Sequence, residues 1–191
     1  MVFSYNLLQT FFQKKLPDAK ELADLIGSHV FEIEGLEKKG NDWAITIDIL
    51  PNRGDCFSHL GLAREISAIL GYPLVMPQIK FKDDKKFNVD NLLKVKVSDK
   101  DCQRYTVKVV KNIKISNSDK KIKEYLQTCG LNSINNVVDI ANFVMIELGQ
   151  PLHVFDLDKI DKHSIIIKSL ASKEKFLALD GKEYGLNEGD M

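Results

Sequence analysis

The 191-residue chain carries 27 basic and 27 acidic side chains, so its formal net charge is zero, and 44% of it is hydrophobic. That length makes one large domain or two small ones with room for a true core, and the balanced charge gives no sign of a generally basic nucleic-acid binder. No apolar run approaches the roughly 18–20 residues of a membrane span, the apolar start MVFSYNLLQTFF lacks the basic segment of a signal peptide, and three scattered cysteines without a CxxC pair fit neither a closed zinc site nor a secreted disulfide framework, which points to reduced thiols in a cytoplasmic protein.

The first helix is expected after Pro17. Asp18 can cap it, Glu21 completes a capping box, Leu22, Leu25 and Ile26 share one face, and Gly27 is read as the stop. Residues 30–36 and 44–50 alternate as strands, with Ile45, Ile47 and Ile49 on one face and a turn over 38–42 between them. Pro51-Asn52-Arg53-Gly54-Asp55 reads as a tight turn closed by its own Asn and Asp, with Arg53 paired to a carboxylate or, on a functional reading, to a phosphate. It feeds a helix that offers Leu62, Ile66, Ile69 and Leu70 to a core and ends at Gly71.

Pro73, Pro77 and a charged run beginning at Lys80 mark a linker, so a domain boundary is expected near residue 78. Beyond it come strand-like segments 93–97 and 105–110. A helix over 118–129 with Gly130 at its end follows, and a second helix over 136–148. The chain closes with a short strand 165–167 and a hairpin of 176–179 and 184–186 around Asp180-Gly181. Without a regular βαβ rhythm this makes an α+β fold of two small mixed domains, 1–78 and 79–191. Charge is uneven: residues 80–124 hold 14 Lys/Arg against 7 Asp/Glu, a stretch that suits either a solvated surface or a phosphate backbone.

P-loop, GxGxxG, HExxH and GxSxG signatures are absent, so the residues alone stop at a two-domain α+β protein. Two long motifs go further. Asp48-Ile49-Leu50-Pro51-Asn52-Arg53-Gly54-Asp55-Cys56, continuing through Ser58-His59-Leu60-Gly61-Leu62-Ala63-Arg64-Glu65, closely resembles the turn-and-helix signature of the bacterial phenylalanyl-tRNA synthetase β subunit. Ser133 to Ile140, running on through Glu147-Leu148-Gly149-Gln150-Pro151-Leu152-His153-Val154-Phe155-Asp156, is similar to the signature of that subunit's editing domain. The order of the motifs and the opening Ser4-Tyr5-Asn6 also fit, so the resemblance runs over essentially the whole chain.

The resemblance implies the N-terminal portion of that subunit and the first part of its editing domain, residues 79–191 being an incomplete copy. It implies hydrolysis of tyrosine mischarged on phenylalanine tRNA, because an apolar pocket rejects one extra hydroxyl only weakly and a second pocket must remove the error. Asn142 and His153 fall on the family's catalytic pocket positions, with Ala141 and Pro151 as substrate-binding neighbours. Implied partners are the synthetase α subunit, in an α2β2 assembly, and phenylalanine tRNA, with no membrane. ATP and Mg²⁺ are expected on the α subunit, and no cofactor or metal on this chain. Three departures stand out. Only a short turn separates Glu34 from Trp43, where most members insert an oligonucleotide-binding fold. Ala141 replaces the usual threonine, and Ser118-Asp119-Lys120-Lys121 replaces the usual Ser-Pro-x-Trp. The family's editing domain also continues beyond Met191, which points to a fragment or a strongly reduced relative. The rival readings are a free-standing deacylase acting in trans and a non-catalytic RNA-binding or scaffold module.

Overall fold

A computed structural model of the chain describes every residue except Lys80, Lys82, Leu179 and Asp180. Its helices and small sheets make the α+β architecture expected from the sequence. The chain divides into two compact units: Met1–Lys80 with Lys114–Val154, and Phe81–Ile113 with Phe155–Met191. The chain leaves the first unit after Lys80. The chain then rejoins the first unit at Lys114, so each unit is built from two stretches of sequence.

In the first unit, β1 (Val2–Ser4), β2 (Ile33–Lys39) and β3 (Asp42–Ile47) form an antiparallel sheet in the order β1-β3-β2. Helix α1 (Tyr5–Gln9) starts directly from β1. Ser4 caps it by accepting from the Leu7 N–H and donates to Asp42, which also accepts from the Asn6 and Trp43 N–H groups. Helix α2 (Ala19–His29) begins at Asp18, whose carboxylate accepts from the Lys20 and Glu21 N–H groups as the capping pattern predicted. Gly27 does not stop it. The backbone there keeps helical φ, and the helix runs two residues further until the Val30 N–H closes on the Ile26 carbonyl. Helix α3 (His59–Leu70) is capped by Ser58 and ends at Gly71 in the left-handed conformation. Phe3, Leu8, Leu22, Ile26, Ile45, Ile47, Leu62 and Ile66 are the centre of its core.

Residues 114–154 join this unit through α4 (Lys120–Thr128) and α5 (Asn136–Leu148). The reason is apolar: Tyr125, Leu126 and Ile146 from these helices bury with Leu7 of α1, flanked by Ile122, Phe143 and Met145. Burying these groups here removes more apolar surface from water than a solvated helical pair would.

In the second unit, β4 (Lys94–Val97) pairs in parallel with β5 (Ser164–Ile167), Lys94 opposite Ser164. The hairpin of β6 (Glu174–Leu177) and β7 (Glu183–Leu186) closes through the Ala178 N–H to the Lys182 carbonyl and the Gly181 N–H to the Ala178 carbonyl. Leu179 and Asp180 of the predicted hairpin lie outside the described residues. The segment 105–110, read as a strand, does not form one. Its side chains alternate between half-buried and exposed, but no neighbouring strand takes its backbone groups among the described residues. Among the described residues no helix is long and apolar enough to cross a membrane.

Candidate functional site

Helix α5 carries two of the four predicted site residues. Ala141 is buried, and the adjacent Asn142 is half-buried. The helix ends at Gly149, with φ +80°, and the chain leaves in an exposed segment that holds Pro151 and His153. Thus Ala141 and Asn142 share a rigid element, whereas Pro151 and His153 follow on irregular backbone.

The second long motif builds the support beneath them. Asn135 caps α5, its side chain accepting from the Val137 and Val138 N–H groups. Asn136 clips the preceding segment to the helix: its amide donates to the Lys114 carbonyl and accepts from the Ser116 N–H. Asp139, fully buried in the first turn of α5, accepts from the hydroxyls of Ser118 and Ser133 and from the Ile134 N–H at 2.8 Å. Burial alone would raise its pKa, but these donors outweigh it and hold the carboxyl below its ordinary value. A buried carboxylate met by three donors fixes the start of α5 against the start of α4.

The first long motif makes a charged knot. The Arg53 guanidinium donates to both oxygens of Asp55, at 3.0 and 2.9 Å, to Glu65 at 2.6 Å and to the Cys56 sulfur at 3.1 Å, and lies 5.2 Å from the centre of the Phe31 ring. The pairing of Arg53 with carboxylates is the one expected from the sequence. Its hydrogen bonds lower the Asp55 carboxyl to about 2, while burial pushes the Cys56 thiol up to about 12. Ligand atoms of Asp55, Cys56 and Glu65 lie within 4.8 Å of one another. The guanidinium already fills the place a cation would take, and a protonated thiol is a poor ligand for Mg²⁺, so this cluster does not fit the metal of a synthetase reaction.

Sequence reading missed the role of His59. It is fully buried, accepts the Ser4 N–H through Nε2 at 2.9 Å and donates from Nδ1 to the Ile146 carbonyl at 2.8 Å. It therefore ties β1, α3 and α5 together. Its place inside the long motif was the available signal, but its partners are backbone atoms that no residue type reveals. In the second unit the lysine-rich stretch is partly engaged on aromatic rings: the Lys108 ammonium lies 4.4 Å from the centre of Phe81, and that of Lys111 lies 4.0 Å from the centre of Phe87.

Comparison with known proteins adds the family. The B3/4 domain pattern matches residues 101–191. The phenylalanine–tRNA ligase beta subunit of Rhodopirellula baltica is 35% identical over 188 residues, covering 98% of this chain and 28% of the relative. Those of Thermotoga maritima and Clostridium acetobutylicum are 40% and 41% identical over 93% and 85% of this chain. The chain spans between a fifth and three tenths of the length of these relatives. Matched along nearly its whole length, it belongs to the family of phenylalanine–tRNA ligase beta subunits, an aminoacyl-tRNA synthetase family, and represents a part of that subunit.

Proposed function

We propose that the chain supplies part of the beta subunit of a cytoplasmic α2β2 phenylalanine–tRNA ligase. There it supports aminoacylation of phenylalanine tRNA and contributes to hydrolytic editing of mischarged tyrosyl-tRNA. The observation that carries this reading is the similarity over 98% of the chain to a beta subunit. ATP and Mg²⁺ act on the partner subunit in this reading.

Editing needs a placed water and donors for a developing oxyanion, not a covalent nucleophile. In this reading the Asn142 amide, which can donate and accept, orients the ester or its water. His153 positions water or the terminal ribose. Ala141 and Pro151 shape the surroundings. The test is hydrolysis of tyrosyl-tRNA by the complete subunit with its partner. His153→Ala is expected to slow it by about tenfold or more, and unchanged hydrolysis would remove His153 from the site.

One observation favours a second reading, a non-catalytic binding or scaffold module whose editing pocket has decayed. Ala141 is buried and offers no hydroxyl where the family resemblance expects one. That reading predicts normal assembly with the α subunit and no hydrolysis in the complete subunit.

A further inference from the structure

The first unit contains a cavity of about 540 Å³ lined from α1, α4, α5 and residues 75–78, within the size range of small-ligand sites. Tyr125 and Phe143 line it as a stacked pair, ring centres 6.0 Å apart and planes at 18°, with Leu7 and Ile122 adding apolar surface. Three charged side chains reach it: Asp119, Lys121 and Glu147. Two of them are engaged. Asp119 caps α4 by accepting from the Lys121 N–H at 2.8 Å, and the Lys121 ammonium lies 5.7 Å from the centre of the Tyr125 ring. Glu147 is different. It is half-buried and makes no hydrogen bond or ion pair among the described residues. Burial raises its pKa, the mark of a carboxylate that has lost water and gained no partner.

We propose that this cavity binds a small aromatic ammonium compound, its ring against the Tyr125–Phe143 pair and its charge on the Glu147 carboxylate. Two carboxylates against one ammonium leave the lining with a formal charge of −1, which favours a cation. A neutral ligand would bury Glu147 without satisfying it, and an anion would face it directly. Flat aromatic surface beside a lone carboxylate selects a cation that carries a ring rather than an inorganic ion. This inference goes beyond the synthetase reading and does not depend on it.

The experiment is titration of the full chain with 2-phenylethylammonium chloride at neutral pH, followed by ligand-observed NMR. Saturable binding with a Kd on the order of 1 mM is expected for a ligand of this size. The neutral analogue 2-phenylethanol is expected to bind about tenfold more weakly, and Glu147→Gln to weaken the ammonium by a similar factor with the circular dichroism spectrum unchanged. Equal affinity for the alcohol and the ammonium overturns the proposal, and so does the absence of saturation. The alcohol comparison needs no variant, so it decides the matter even where Glu147→Gln fails to fold.

Discussion

The Nδ1–H of His59 donates to the carbonyl oxygen of Ile146, 87 residues away, at 2.8 Å. With Nε2 accepting from Ser4, the neutral ring is satisfied on both sides. A second ring proton would point at the Ser4 N–H. Burial accordingly lowers the pKa from 6.5 to about 4. Between those values the unfolded chain binds a proton that the folded chain does not. Stability is therefore unaffected by this group above pH 6.5 and falls as pH drops from 6.5 toward 4, by roughly 3 kcal/mol in all. Urea denaturation at pH 7 and pH 4.5 measures the fall, and NMR should show His59 still neutral at pH 5. A protonated His59 at pH 5 in the folded chain would contradict the assignment.

Gly61 has no room for a methyl group. A Cβ there would lie 1.9 Å from the Asp55 carbonyl oxygen, a backbone atom that cannot swing aside. Gly61→Ala is expected to destabilise the first unit by about 3 kcal/mol, the overpacking cost exceeding the roughly 1 kcal/mol that alanine gains in a helix. Wild-type stability in thermal unfolding would mean that the 54–56 turn can move away from α3.

Replacing Asp139 with asparagine keeps the shape and removes the charge that two hydroxyls and the Ile134 N–H address. Asp139→Asn is expected to cost about 2–3 kcal/mol. Hydrogen exchange should locate the loosening at the starts of α4 and α5. Unaltered protection there would show that the carboxylate is not what fixes these helices.

Arg53 meets Asp55, Glu65 and Cys56 at once, a task that suits a guanidinium and not an ammonium. Arg53→Lys is therefore expected to lower the midpoint of thermal unfolding. Arg53→Ala removes the resident cation and leaves two carboxylates and a thiol converging. Calorimetry should then detect uptake of Zn²⁺, which suits such ligands, where the wild-type chain shows none. Equal uptake by both proteins would mean that Arg53 does not occupy the site.

Local signals carried much of this fold. Asp18 marks the start of α2 and Gly71 the end of α3, because the capping chemistry is complete within a few residues. Helix α1 was illegible: its five residues sit in an apolar run, and its start depends on Asp42, which lies 36 residues from the Asn6 N–H it accepts. The alternation over 105–110 was legible and misleading, since a strand also needs a partner. The candidate site was legible only through its motif. Nothing local to Asn142 or His153 distinguishes them from a helix amide and an exposed imidazole, and the carboxylate that supports α5 became visible only with Ser118 placed beside it.

The interleaving of the two units bears on synthesis as well as on stability. Residues 1–80 leave the ribosome before the Ile146 carbonyl that the His59 ring needs. At about 5–20 residues per second, the intervening 66 residues take several seconds to make. Through that interval the nascent chain holds a sheet and three helices with a polar imidazole unsatisfied and Leu7 uncovered. Chaperone binding to the emerging chain should be strongest in that window and fall when α5 docks.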